Sequence, residues 1–204
     1  MPTHENDQPS GISRLGSQDF NSVIDAFNER LFHIPYPTAA PALFEPIDYT
    51  IESGGKRLRP TLLLRTAMAC GADAMDAINL AIGIELFHNF TLLHDDIMDN
   101  ADVRRGRSSV HCRWNDNVAI LSGDAMLTLA TGYMNSIPGE TGRRIFELFT
   151  KTALEIYQGQ QLDMEFEDRD NVSVDEYIRM IRLKTSVLLG CACRIGAMLG
   201  KVSD

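Results

Sequence analysis

Residues 85–111 read Glu85-Leu86-Phe87-His88-Asn89-Phe90-Thr91-Leu92-Leu93-His94-Asp95-Asp96-Ile97-Met98-Asp99-Asn100-Ala101-Asp102-Val103-Arg104-Arg105-Gly106-Arg107-Ser108-Ser109-Val110-His111, an apolar helical pattern with a polar tip. Asp95 and Asp99 are four residues apart, so on a helix they share a face and aim their carboxylates at one point. Two converging carboxylates repel unless a cation lies between them. Hard oxygen donors favour Mg2+, which takes one or two carboxylates together with substrate phosphates. Arg104 and Arg105 follow where the helix is expected to have ended, and guanidiniums suit phosphate oxygens. His88, Thr91, Asp95 and Asp99 lie along one stripe, successive members three or four apart.

Upstream, Gly54-Gly55-Lys56-Arg57-Leu58-Arg59-Pro60 ends a helix on two glycines and delivers three cations within four residues. Beside a glycine turn in a chain of formal net charge -9, those cations read as a local grip for an anion. Downstream, Gln158-Gly159-Gln160-Gln161-Leu162-Asp163 sets a glycine in mid-helix. That costs about 1 kcal/mol relative to alanine, so close approach of a ligand or a neighbour is expected there. Gln160 and Asp163 are three apart on one face, and Lys184-Thr185 lies inside a later apolar helix.

With the order and rough spacing of Asp95-Asp96-Ile97-Met98-Asp99, Arg104-Arg105-Gly106, the glycine-lysine-arginine segment and Lys184-Thr185, the chain resembles the trans-isoprenyl diphosphate synthases, or polyprenyl synthetases. The resemblance implies an all-α antiparallel helical bundle around a central apolar cavity and a magnesium-dependent condensation of isopentenyl diphosphate with an allylic prenyl diphosphate. It implies Mg2+ at Asp95, Asp96, Asp99 and Asp163. It places isopentenyl diphosphate at Lys56, Arg59, His88 and Arg105, with Arg57 beside them. The allylic diphosphate is placed at Arg104, Gln160, Lys184 and Thr185. Asp95, Asp99, Arg104 and Lys184 are then the catalytic set, acting by charge stabilisation with no protein nucleophile. Phe90 matches a position where an aromatic ring floors the cavity, which implies a short product of farnesyl or geranylgeranyl size. A helical wheel puts Thr91 more directly beneath Asp95. The family's homodimer is the expected assembly.

A second aspartate-rich motif, present in that family on a later helix, is absent from these 204 residues. The chain is therefore expected to be a fragment, with the C-terminal helices missing and little synthase activity of its own. Three other readings compete with a condensing enzyme. A class I terpene cyclase needs no second diphosphate site, which leaves the glycine-lysine-arginine segment unexplained. A metal phosphohydrolase built on His94-Asp95 needs further ligands that do not appear. A non-catalytic regulatory homologue is the third.

Hydrophobic residues make up 44% and charged residues 23%, and one domain over 17–204 is expected behind a disordered leader at 1–16. The acidic balance argues against a nucleic-acid surface. No uncharged apolar run reaches the ~20 residues of a membrane helix, and residues 1–10 are polar, unlike a signal peptide, so a cytoplasmic protein is expected. Cys70, Cys112, Cys191 and Cys193 show no zinc-type spacing and read as buried free thiols. Helices are expected from 17, over 42–53, 60–70, 74–99, 115–136, 140–167 and 173–199, with a loop at 106–114 and no strands. His94 is expected behind the carboxylates as their partner, and Asp124 as a capping or hydrogen-bonding group within the bundle.

Overall fold

The structure, a computed structural model, describes residues 19–200, so the leader at 1–16 and the helix start at Ser17 lie outside the described residues. Helix α1, Phe20–Phe32, is capped by the Asp19 side chain and buries Val23, Phe27 and Leu31, one per turn. After a 3-10 turn at Pro41–Leu43, α2 (Glu45–Glu52) carries Pro46 in its first turn, where no backbone donor is needed. Gly54 and Gly55, both at positive φ, end that segment, and α3 (Leu58–Ala69) begins from a left-handed Arg57.

Helix α4, Ala74–Met98, is capped by Asp73 and is apolar on nearly every side. A helix without a polar face can only be an interior one. It packs against α6, α3 and α1, and Phe87, Leu86, Ile84 and Ile82 are almost wholly enclosed. Each such side chain contributes roughly 2 kcal/mol of transfer free energy. Helix α6, Asp116–Met134, starts at an Asn115 cap, and α7 spans Gly139–Glu167. The expected all-α bundle is what forms, and among the described residues no helix is long and apolar enough to cross a membrane.

Local corrections follow. The stretch after Asp99 is not strandless: β1 (Val103–Arg104) pairs antiparallel with β2 (Arg107–Ser108) around Arg105 and Gly106, at φ 53 and 78. Two consecutive left-handed residues make the tight turn that matches strand twist. A short α5, Val110–Arg113, occupies most of the remaining expected loop. The last helix is not continuous. It opens as α8, Val174–Ile181, with the expected Ser173–Glu176 capping box, loosens into a π-helical turn at Arg182–Ser186, and resumes as α9, Val187–Leu199. Only Cys191 of the four free thiols is buried, Cys112 being exposed where α5 faces outward. The Asp124 side chain is exposed, and its backbone carbonyl accepts from Thr128.

Candidate active site

Helix α4 ends where the chemistry starts. Asp95 lies in its last turn and Asp99 is its C-cap, as the four-residue spacing requires. Beneath Asp95 is a cavity of about 200 Å³. Its α4 wall is Phe90, Thr91, His94 and Met98; α7 supplies Ile156, Tyr157 and Gln160, and Leu188 of α9 closes the side. Arg59, His88, Asp95, Lys184 and Thr185 bring polar groups to the same space.

The π-helical turn explains how Lys184 arrives. Its Nζ donates to Asp163 Oδ2 at 2.5 Å and lies 3.1 Å from Asp95 Oδ1. Gly159 of α7 makes this possible, since a β-carbon there would stand 2.3 Å from the Lys184 backbone nitrogen. Burial opposes the ammonium charge, but the paired carboxylates of Asp163 and Asp95 outweigh it and raise the lysine pKa. Asp99 is pushed up by desolvation first and then by the charge of Asp95. Gln160 extends its amide toward Met98 Sδ, 3.8 Å away.

The donors here are hard carboxylate oxygens, the chemistry that suits a divalent cation. Asp95 Oδ1 is buried, and the ion pair with Lys184 Nζ at 3.1 Å leaves its hydrogen-bonding capacity unfilled. Asp163 shares the Lys184 ammonium with Asp95, and the charge of Asp95 disfavours ionisation of Asp99. Among the described residues no three His, Cys, Asp or Glu side chains are gathered closely enough to enclose a metal by themselves. Mg2+ is ordinarily completed by water and substrate phosphate.

Asp96, expected among the metal ligands, stands apart from the other carboxylates and pairs with Arg104. It is 4% exposed and its Oδ1 accepts from Arg104 Nε at 2.8 Å and from Arg104 Nη2. Consecutive helical residues face different ways, so Asp96 points to the hairpin while Asp95 faces the cavity. Arg104 also reaches within 3.6 Å of Asp95 Oδ2, and its bond to Asp96 raises its pKa.

Arg57 is likewise withdrawn from the expected anion grip. Its Nη1 donates to Glu85 Oε1 at 2.5 Å and its Nη2 to the Ile51 carbonyl at 2.6 Å. Glu85 is 2% exposed and needs a counter-charge that Arg57 provides. Arg105 folds the other way from Arg104, onto the Gly54 carbonyl, and a β-carbon on Gly55 would be 3.0 Å from its guanidinium carbon. Arg59 Nη1 lies 3.0 Å from His88 Nε2. Burial and then the charges of Arg59, Arg105, Arg57 and Arg104 lower the His88 pKa to about 3, so the ring is neutral and Nε2 accepts. Lys56 is exposed beside this cluster.

Sequence reasoning missed Asn89, whose amide donates to Glu85 and whose oxygen faces Arg105 at 3.5 Å. It also missed Tyr157, although Tyr157 is three residues before Gln160 and so on the same face of α7. His94 does not back the carboxylates; its Nε2 is 3.2 Å from the Ile120 carbonyl.

The polyprenyl synthetase family model matches residues 40–204. A geranylgeranyl diphosphate synthase of Methanosarcina mazei is 41% identical over 186 residues, covering 90% of this chain and 56% of that protein. Among solved structures, a geranylgeranyl pyrophosphate synthase superposes with a TM-score of 0.86 at 48% identity, over 92% of this chain and 57% of the other. The geranylgeranyl pyrophosphate synthetase of Geoglobus acetivorans gives 0.84 at 37% identity, over 91% and 61%. The chain thus spans little more than half the length of these relatives.

Proposed function

Because the chain belongs to the polyprenyl synthetase family, we propose that it carries the substrate-ionising part of a trans-prenyltransferase that joins isopentenyl diphosphate to an allylic diphosphate. One observation supports this most: acidic and basic groups from α3, α4, α7 and the π-helical turn meet at the mouth of a single apolar cavity of about 200 Å³. An allylic substrate would lay its hydrocarbon against Phe90, Ile156 and Leu188, with its diphosphate at Lys184, Thr185, Gln160 and Arg104. Isopentenyl diphosphate would lie at Lys56, Arg59, His88 and Arg105, where the neutral His88 accepts from Arg59 and steadies that guanidinium without adding charge.

Asp95, Asp99 and Asp163 would hold Mg2+, which when bound neutralises charge on the departing diphosphate. Lys184 and Arg104 stabilise the same charge directly, in a recess where such contacts are strengthened by the low dielectric. The allylic carbon–oxygen bond breaks and its electron pair leaves with the diphosphate. The isopentenyl double bond supplies the new carbon–carbon bond, and loss of a proton restores an allylic product one five-carbon unit longer. Phe90, Leu188 and Ile156 exclude water that would quench the cation. The relatives' names favour a geranylgeranyl product over farnesyl, and a second copy of the chain is the proposed partner, in the cytoplasm. The cations beyond those needed to ionise one diphosphate favour condensation over cyclisation.

The test is calorimetric binding of a non-hydrolysable farnesyl thiolodiphosphate with and without magnesium. Metal-dependent binding is expected, lost in Asp95→Asn and Lys184→Ala. Isopentenyl diphosphate binding should be lost in Arg59→Ala alone. Metal-independent binding, or none, overturns the proposal.

A further inference from the structure

The imidazole of His94 sits in a slot that exists because α6 has no side chain at Gly123. A β-carbon there would stand 2.2 Å from His94 Nε2 and 2.6 Å from Cδ2. Gly123 is buried in mid-helix with ordinary helical backbone, so no turn requires it, and its cost of about 1 kcal/mol needs another reason. In the slot, His94 Nε2 lies 3.2 Å from the Ile120 carbonyl. The ring meets Phe90 edge to face with centroids 4.7 Å apart, and Phe90 meets Tyr157 of α7 in the same manner at 6.3 Å. All three rings line the cavity. They form a continuous aromatic wall from α6 across α4 to α7, anchored at one end by the absence of a side chain.

The geometry points to Gly123 and His94 as a specificity-determining pair that sets the width of the cavity and so the longest prenyl chain it accepts. This rests on the cavity being the prenyl site proposed above. A methyl group at residue 123 cannot be relieved by moving α6, which packs along α4. The imidazole is the free end of a side chain, and it must yield by about 1 Å to restore ordinary contact. The open space beside it is the cavity it lines. His94 forms no step of the reaction; its effect is on which chain fits.

The experiment measures binding of allylic thiolodiphosphates of one to four isoprene units to the 204-residue chain with magnesium, with inorganic pyrophosphate as the chain-free control. Gly123→Ala is expected to weaken the longest ligand relative to the shortest by about tenfold or more, the scale of a few misplaced methylenes in an apolar pocket. The double variant Gly123→Ala/His94→Ala should bind the longest ligand at least as well, relative to the shortest, as the wild type does, since the methyl then has no ring to displace and the imidazole no longer lines the cavity. Pyrophosphate should bind all variants alike. An unchanged ranking in Gly123→Ala with pyrophosphate binding intact, or a double variant that keeps the loss, overturns the pair's role alone. If the wild-type chain binds no member of the series, the functional proposal fails and this inference falls with it. Should Gly123→Ala not fold, His94→Ala by itself must shift the ranking toward longer chains, and an unshifted ranking refutes it.

Discussion

Replacing Gly159 with alanine sets two effects of opposite sign against each other. In a plain mid-helix position the change would stabilise α7 by about 1 kcal/mol through helix propensity. Here the new methyl would stand 2.3 Å from the Lys184 nitrogen and 2.7 Å from the Leu183 carbonyl carbon and the Lys184 Cα. All three are backbone atoms, which cannot rotate away as a side-chain tip can. Overpacking of this kind costs about 1–3 kcal/mol, and backbone against backbone belongs at the upper end. The net expectation is a loss of about 1–2 kcal/mol. The π-helical turn would also be pushed off α7, lengthening the Lys184 to Asp163 contact from 2.5 Å. Urea denaturation reads the first effect from the midpoint at unchanged m-value, and magnesium-dependent binding of a prenyl thiolodiphosphate reads the second. A variant that gains stability and binds like wild type would refute the close approach of α7 to the π turn.

Removing the carboxylate of Glu85 strands a guanidinium that is 13% exposed, so Glu85→Ala should cost about 3–5 kcal/mol by denaturation, and Glu85→Gln less; a loss under about 1 kcal/mol would show that Arg57 finds another partner. His88 has its pKa lowered to about 3 in the folded chain, while an unfolded histidine takes up its proton near pH 6.5. Between those values the unfolded state binds the extra proton, so stability should fall on acidification from about pH 6.5 toward 3, by up to about 1.4 kcal/mol per pH unit. His88→Gln should flatten that part of the curve, and equal slopes in both proteins would contradict a buried neutral ring. Phe90→Ala should cost about 3 kcal/mol or more by denaturation and raise the longest prenyl chain bound. An unchanged length ranking would take Phe90 out of the cavity floor.

Periodicity made most of the helices legible. Apolar residues on every side of 74–98 leave an interior helix as the favourable solution, and the four-residue step from Asp95 to Asp99 follows from helix geometry before any tertiary contact exists. The glycines at 54, 55 and 159 announced close approaches or turns without naming the neighbour. The hairpin was missed because two-residue strands have no alternation to detect, and its signal lay only in Gly106 following an arginine.

What the chain dictates alone is local: where helices begin and end, which faces are apolar, and which charged groups share a side. Only folding assigned partners to the chemically similar cations Lys56, Arg57, Arg59, Arg104, Arg105 and Arg107. It turned Arg57 inward to Glu85, Arg104 to Asp96, Arg105 to Gly54 and Arg59 to His88, leaving Lys56 exposed and laying Arg107 over the Tyr49 ring. Likewise a π-helical turn, set by contact with Gly159, delivered Lys184 to Asp95. The physical reason is that a charge's partner is fixed by distances between segments far apart in sequence, and a single helical register shift redirects it, whereas helix formation depends on neighbours within a turn or two.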